Sequence, residues 1–186
     1  MASNPAPGNL ELVRSFVNTW DAEVRTEALD SPASLGAWLA EQGLLPADAP
    51  IGGDDLEHAV RLREALRAML MANAGLELEP SAPAELDAAA RRARLTVRFA
   101  ADGTPRTEPL AEGADGALGW LLAVVASAVE EGTWLRLKAC LAEDCQWAYY
   151  DKSRNRSAVW CDMRICGNRQ KVRSYRERHH HPPAPV

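Results

Sequence analysis

Four cysteines lie close together near the C-terminal end of the chain, at Cys140, Cys145, Cys161 and Cys166. They form two C-x4-C pairs separated by fifteen residues, and the chain has no other cysteine. Four thiolates supply the tetrahedral ligand set that zinc prefers, and four protein ligands leave no open position for a substrate. The pattern therefore predicts one structural zinc ion per chain. Two disulfides and an iron–sulfur cluster are the alternatives that the spacing leaves open.

The residues around the cysteine pairs predict the elements that hold them. Residues 146–160 have aromatic ends and a polar middle, which favours two short strands joined by a basic tip. The chain after Cys166 has helical spacing, with Val172 and Tyr175 predicted to face the zinc module. Knuckle, hairpin, knuckle and helix is the order of a treble-clef finger. A ribbon-like zinc finger with the same four cysteine ligands is the alternative.

Charge is distributed unevenly along the chain. The whole sequence has 21 Lys or Arg and 26 Asp or Glu, but residues 146–186 contain nine basic and only three acidic residues. An acidic body with a basic end is the charge split expected of a binding segment, and Lys and Arg neutralise nucleic-acid phosphates. The predicted nucleic-acid-binding residues are Lys152, Arg154, Arg156, Arg169, Lys171, Arg173 and Arg176. Several of them could instead stabilise the finger internally, and Arg169, close to a ligand cysteine, could do so as a donor to the thiolates.

Hydrophobic spacing predicts a mostly helical body before the finger. Apolar residues from Leu10 to Val24 recur every three or four positions, which predicts one helix with Asn9 as its N-cap. Further helices are predicted between Ser31 and Gly43, over 55–74, over 81–93 and over 115–131. Alternation in residues 94–100, followed by a turn and residues 105–110, predicts one small hairpin. The expected fold class is mainly α with a small β-hairpin (α+β).

These patterns divide the chain into four segments. They are a disordered N-terminus at 1–8, a helical body at 9–133, a finger at 134–180 and a disordered tail at 181–186. We expect the finger to pack on the body through Trp134, Leu135 and Leu137. The longest apolar run, residues 116–129, is shorter than the ~20 residues of a membrane span, and no secretory signal is visible. We therefore expect a cytoplasmic protein that does not enter a membrane.

The sequence around the second cysteine pair resembles a known family. Cys166-Gly167-Asn168-Arg169 is similar to the motif of the CGNR zinc-finger family. The flanks that fit the same family are residues 136–140, 147–151, 153–157 and 160–163. The N-terminal part resembles the ABATE domain through residues 16–19 and the helix at 35–45. This resemblance implies a bacterial, stress-linked transcription regulator, and it brings no catalytic residues.

Three kinds of function fit these observations. The first is a regulator that binds duplex DNA through the basic finger. The second is an RNA-binding protein that uses the same surface and stacks bases on Trp147, Tyr149, Tyr150 and Tyr175, although these residues could instead pack in the core of the finger. The third is a protein-interaction module in which the zinc is purely structural. We expect no enzyme, because the sequence has no phosphate loop, nucleophile elbow or open metal site.

A further expectation concerns the N-terminal body. Asn18 and Trp20 are candidates for an effector pocket, although a buried asparagine that ties helices together is the competing interpretation. A homodimer is compatible with a regulator, but no residue pattern specifies one.

Overall fold

Helices form most of the body, and three short strand pairs connect or flank them. The structure is a computed structural model, and it describes residues 5–179. Its α-helices are α1 (Leu10–Val17), α2 (Pro32–Glu41), α3 (Gly53–Asn73), α4 (Ala82–Arg92), α5 (Gly113–Glu130) and α6 (Asn168–His179). Its strands pair antiparallel as β1 (Trp20–Asp21) with β2 (Thr26–Glu27), β3 (Leu95–Phe99) with β4 (Pro105–Pro109), and β5 (Leu137–Ala139) with β6 (Ala148–Tyr150). The predicted fold class is confirmed.

Both segments that we predicted to be disordered reach beyond this range. The tail at 181–186 and the first four residues lie outside the described residues. Ala6 is buried against the core, and its backbone N–H donates to Glu11 Oε2 at 2.7 Å. Residues 5–8 are therefore held against the start of α1 rather than free.

The first helix is shorter than the hydrophobic spacing predicted. α1 ends at Val17 and the chain turns into the β1–β2 pair, so the prediction of one helix through Val24 is wrong. The Asp21 carboxylate accepts hydrogen bonds from the N–H groups of Glu23 and Val24, which builds a local turn that competes with helix. Asn9 is the N-cap residue of α1, as predicted, but its side chain makes no hydrogen bond to the helix start.

The second helix begins and ends where the sequence predicted. The Ser31 hydroxyl accepts the N–H of Ser34 at 3.1 Å, and the Ser34 hydroxyl accepts the N–H of Ser31 at 3.0 Å. This reciprocal pair satisfies two N–H groups that a helix start leaves unpaired. Gly43 follows the helix with φ of 69°, the left-handed conformation in which glycine is favoured past a helix end.

The hydrophobic core lies between α1, α3 and α5. Its fully buried side chains include Val13, Phe16, Leu62, Leu66, Leu70, Leu118 and Leu121. By length and composition α5 is apolar enough to cross a membrane, but ten of its 18 residues are buried inside the body. That burial is the pattern of a core helix, as the sequence predicted.

The β3–β4 hairpin packs on α5 at Gly119. The predicted strands pair in the register Leu95 with Pro109, which confirms the hairpin. A Cβ atom added at Gly119 would lie 2.5 Å from the Cβ of Ala93 and 2.9 Å from the Cβ of Pro109. The lack of a side chain therefore lets α5, the end of α4 and the hairpin approach one another.

The finger joins the same core. Leu137 and Ala139 of β5 and Ala148 of β6 belong to the buried cluster formed by the body helices. Trp134 is also buried, but Leu135 is 56% exposed, so its predicted packing role is wrong. These residues form a 3-10 turn, in which neighbouring side chains point about 120° apart, and burial of Trp134 leaves Leu135 facing outward. The β5–β6 pair of the finger is therefore part of the core of the body, whereas the cysteines and Tyr149 form a second, smaller buried cluster.

Replacing Gly119 by alanine tests this close approach. The new methyl group would overlap two stiff neighbours, an overpacking that costs about 1–3 kcal/mol, against a helix-propensity gain of about 1 kcal/mol. We expect Gly119→Ala to lower the thermal unfolding midpoint. Gly53→Ala is the control, because a Cβ there meets nothing within 4 Å. A midpoint for Gly119→Ala equal to that of the control would show that the three elements do not meet as described.

Candidate metal centre and nucleic-acid surface

The two cysteine pairs converge on one point. Cys140 and Cys145 bound the knuckle between β5 and β6, while Cys161 and Cys166 lie where the chain enters α6. All four Sγ atoms lie within 4.8 Å of one another, and the Cys145–Cys161 and Cys161–Cys166 distances are both 3.6 Å. Tetrahedral zinc with Zn–S near ~2.3 Å requires sulfur atoms roughly 3.8 Å apart, whereas a disulfide requires about 2.05 Å. The cluster therefore fits one structural zinc ion and not two disulfides.

Local hydrogen bonds shape the first pair of ligands. The N–H of Cys140 donates to the carbonyl of Trp147 at 2.9 Å, and the N–H of Cys145 donates to Ala142 at 2.9 Å. Gln146 then adopts a left-handed conformation, with φ of 53°, and turns the chain into β6. These bonds aim both sulfur atoms inward from a tight turn.

The second pair of ligands is supplied by the entry to α6. A π-helical turn, Met163–Gly167, precedes α6 and contains Cys166. The Asp162 carboxylate caps this turn by accepting the N–H of Arg164 at 2.7 Å. A knuckle on a β-hairpin followed by ligands at the entry to a helix fits the treble-clef alternative in these two features.

The hairpin of the finger differs from the prediction in its partner strand. We expected two strands within residues 146–160. In the structure β6 instead pairs with β5, which precedes the first cysteine, and residues 157–160 form no strand. That stretch is joined to the knuckle through one hydrogen bond, from Leu141 N–H to the Val159 carbonyl at 3.0 Å. Aromatic alternation identified β6 but carried no information about which segment it pairs with.

Thiols packed this closely oppose one another's ionisation. Hydrogen bonds from Cys145 and Cys161 lower the pKa of Cys140. The hydrogen bonds to Cys140, and then its charge, raise the pKa of Cys145 and of Cys161. Burial, followed by the charge of Cys140, raises the pKa of Cys166. A divalent ion at the centre removes this conflict, because coordination stabilises all four thiolates at once.

The basic tip of the finger is held from below by a buried lysine. Lys138 Nζ donates to Asp151 Oδ2 at 2.9 Å and to the carbonyls of Arg156 and Ala158 at 2.5 and 3.0 Å. The side chains of Lys138 and Asp151 are only 4% and 1% exposed. Both ends of residues 151–158 are therefore fastened to one ammonium group. The sequence analysis missed Lys138; its signal was a lysine between the apolar residues of a short strand.

The carboxylate of Asp151 accepts hydrogen bonds from two backbone N–H groups as well as from Lys138. Asp151 Oδ1 accepts the N–H of Ser153 at 2.9 Å, and Oδ2 accepts the N–H of Ala158 at 3.0 Å. Burial raises the pKa of Asp151, but the hydrogen bonds from Ser153, Lys138 and Ala158 outweigh it and leave the pKa below its usual value. Ionised Asp151 therefore stabilises the folded protein at pH values above the unfolded pKa of ~3.9. This stabilisation is lost as the pH falls through the lower pKa of the folded state.

The three cations predicted at the tip are free to contact a ligand. Lys152, Arg154 and Arg156 are exposed, and none has an acidic partner within residues 5–179. Lys171 and Arg176, predicted on the helix, are also exposed and have no acidic partner in that range. Five of the seven predicted contacts are thus available.

Arg169 differs from these five, because it connects the finger to the body. Its Nη1 lies 2.6 Å from Asp144 Oδ2 of the knuckle, and its Nη2 lies 2.7 Å from Glu23 Oε1 in the β1–β2 turn. The hydrogen bonds to these two carboxylates raise the pKa of Arg169. Arg169 therefore braces the first turn of α6 against two neighbouring elements.

Arg173 is also paired with acidic residues. Its Nη1 lies 2.8 Å from Glu143 Oε2, and its Nε lies 3.3 Å from Glu177 Oε1. The charge of Glu143, followed by the bonds to both carboxylates, raises the pKa of Arg173. Val172 and Tyr175, predicted to face the zinc module, are 50% and 58% exposed, so that prediction is wrong. Helical spacing placed the helix but not its rotation.

Two polar side chains of α3, the buried Arg67 and the half-buried Asn73, bind the backbone of the finger. Arg67 Nη1 donates to the carbonyl of Gln146 at 2.9 Å, beside the zinc knuckle. Asn73 Nδ2 donates to the carbonyls of Trp134 and Leu137 at 3.1 and 2.9 Å. These hydrogen bonds fix the finger on α3. Hydrophobic periodicity in the sequence does not predict them.

Asn18 belongs to this junction as well. Its Nδ2 donates to the Ala148 carbonyl at 2.9 Å, and its Oδ1 accepts the Ala148 N–H at 2.7 Å. The amide that we considered for an effector pocket thus extends the β6 edge. Trp20 is half-buried in β1. A cavity of about 610 Å³ lies between the segment before α1, β4 and α5, and neither Asn18 nor Trp20 lines it.

Two family models match the chain. Residues 10–131 match ABATE, described as "Putative stress-induced transcription regulator", and residues 136–179 match "CGNR zinc finger". The two matches span the body and the finger. A search of curated protein sequences finds no match.

Loss of one ligand should affect both parts of the protein. We expect Cys161→Ser to reduce bound zinc from about one per chain to near zero, because three thiolates no longer complete the tetrahedron. Since β5 and β6 pack in the shared core, we also expect the thermal unfolding midpoint of the helical body to fall. Metal analysis and far-ultraviolet circular dichroism measure the two effects. Ser157→Ala, in the same finger, is the control. Zinc loss with an unchanged midpoint would contradict the shared core.

The buried ion pair offers a separate test. Lys138→Met removes the ammonium group and leaves the buried Asp151 carboxylate without a counter-ion, which costs about 3–5 kcal/mol of folding free energy. We expect a lower free energy of unfolding in urea and faster tryptic cleavage after Arg154. Lys152→Met, an exposed lysine of the same loop, is the control and should resemble the wild type. Equal behaviour of the two variants would mean that Lys138 does not hold the tip.

Proposed function

Because the chain belongs to the ABATE family and carries a CGNR zinc finger, we propose that it is a bacterial, cytoplasmic transcription regulator that binds DNA through the exposed cations of the finger. The zinc organises the finger and takes no part in chemistry. The proposed role is binding, and it includes no catalytic step.

The observation that carries this proposal is the sorting of charge on the finger. Lys152, Arg154, Arg156, Lys171 and Arg176 project into solvent without acidic partners in the described part of the chain. The acidic residue next to the basic tip, Asp151, is buried and paired with Lys138. Exposed, uncompensated cations are the groups that displace counterions from a phosphate backbone.

The positions of the aromatic residues favour duplex DNA over single-stranded RNA. Stacking on unpaired bases needs exposed aromatic faces. Tyr149 is only 1% exposed, and its hydroxyl donates to the Ala158 carbonyl at 2.8 Å. Trp147 and Trp160 pack against the cysteine cluster. Of the four residues considered for stacking, Tyr149 is buried, Trp147 and Tyr150 are half-buried, and Tyr175 of α6 is 58% exposed. One exposed ring is fewer than a platform for successive unpaired bases requires.

A binding assay with matched variants tests the proposal. Fluorescence anisotropy would compare a labelled 30-base-pair duplex of mixed sequence with a single-stranded RNA of equal length, each at several salt concentrations. We expect duplex binding that weakens with salt. Lys171→Ala/Arg176→Ala should weaken it and reduce the slope of log K against log salt by roughly two phosphate contacts. Arg91→Ala, an exposed cation of α4 in the body, is the control.

The other outcomes distinguish the alternatives. Preference for the single-stranded RNA would replace the DNA proposal with the RNA-binding function. Absence of binding to either nucleic acid at the lowest salt would contradict both, and would leave a protein-interaction module with a structural zinc.

A further inference from the structure

The six residues at the tip of the finger form an exposed stretch whose charges are all positive. Residues 152–157 are all exposed, and none of them is acidic. The preceding acidic residue, Asp151, is buried and paired with Lys138. The tip is thus a protrusion that carries three positive charges and no exposed negative charge.

The tip is also ordered before any ligand binds. Lys138 holds the Asp151 carboxylate and the Arg156 carbonyl, and Arg136 Nη1 donates to the carbonyls of Asp151 and Ser153 at 2.9 Å each. Arg156 is held at φ of 54°, a left-handed conformation that disfavours residues with a side chain. A loop fixed in this way loses little conformational entropy on binding, and backbone strain of this kind concentrates at binding sites.

The side chains at the apex suit base edges. Arginine donates two parallel hydrogen bonds to guanine O6 and N7, and asparagine exchanges two with adenine N6 and N7. Arg154, Asn155 and Arg156 are consecutive and exposed, and the Asn155 amide has no partner within residues 5–179. An uncharged amide gains little from phosphate alone, so its position between two arginines favours contact with bases.

The helix α6 is less suited to enter a groove. The N-terminal residues of a recognition helix usually contact the bases. In this protein the first turns of α6 lie against Glu23, Asp144 and Glu143, through their pairs with Arg169 and Arg173. Moving this end of the helix into a groove would bring three carboxylates towards the phosphates, and like charges at an interface are unfavourable.

We propose that the tip is the element that reads DNA sequence, with Arg154, Asn155 and Arg156 contacting base edges in the major groove. Lys171 and Arg176 of α6 then contact phosphates and orient the protein. This division of roles rests on the proposed function. It removes Arg169 and Arg173 from the set of DNA contacts and assigns them to bracing α6.

Asn155 provides the sharpest test, because its substitution changes no charge. The full-length, zinc-loaded protein would first be used to select binding sites from a random duplex library. Affinity for the selected site and for a scrambled duplex would then be measured by anisotropy. We expect Asn155→Ala to weaken binding to the selected site by about 10- to 100-fold, with little change for the scrambled duplex and an unchanged salt slope. Ser157→Ala, also uncharged and exposed in the same loop, should leave both affinities unchanged.

The charged variants complete the comparison. Arg154→Ala should lower the specific affinity more than the non-specific one, whereas Lys171→Ala should lower both equally and reduce the salt slope by roughly one contact. Zinc content and thermal midpoint should match the wild type in each variant, since these side chains are exposed.

Failure of the inference and failure of the proposed function give different results. A wild-type protein that binds no duplex overturns both. A wild-type protein that binds duplexes without selecting any sequence overturns only the base-reading role, as does a selected site whose affinity is unaffected by Asn155→Ala and Arg154→Ala. In those two cases the DNA-binding function stands.

Discussion

The four Sγ atoms lie within 4.8 Å of one another, and such a cluster of thiolates is stable only with a cation at its centre. That ion joins the knuckle between β5 and β6 to the first turns of α6, which has few apolar side chains of its own. The tip lies between the same two cysteine pairs, so its position is set by both. A segment of this size has too little apolar material to fold without the metal. The placement of the basic side chains of the tip and of α6 therefore depends on zinc.

The body depends on the finger in turn. Leu137 and Ala148 complete the core of the helical body, and Arg67 places its guanidinium against the backbone beside a zinc ligand. Burying an arginine is costly unless its donors are satisfied, and Arg67 meets that requirement partly through a carbonyl of the finger. Zinc release would thus leave a buried cation of the body short of a partner. The metal, the finger and the core of the body form one coupled unit.

The sequence predicted the features whose cause is local. Cysteine spacing predicted the metal site, the serine and glycine at the ends of α2 predicted its bounds, and the uneven charge predicted which face is basic. It failed where distant parts of the chain decide the outcome. The pairing of β6 with β5 and the outward direction of Val172 depend on packing that single-element patterns do not contain. For Arg169 the sequence left open whether it contacts nucleic acid or supports the finger, and the approach of Glu23, 146 residues away, favours the supporting role.

Under the proposed function, the acidic body repels DNA and leaves the basic finger as the surface that attracts it. Outside residues 146–186 the chain has 12 basic and 23 acidic residues, so the body repels a phosphate backbone. The pair between Arg169 and Glu23 fixes how the basic finger projects from that body. A duplex is then attracted to the exposed tip and repelled elsewhere. Repulsion by the acidic body weakens binding to DNA of arbitrary sequence. A binding site must therefore add base contacts to be occupied. A short, rigid tip with both arginine and asparagine is suited to make those contacts.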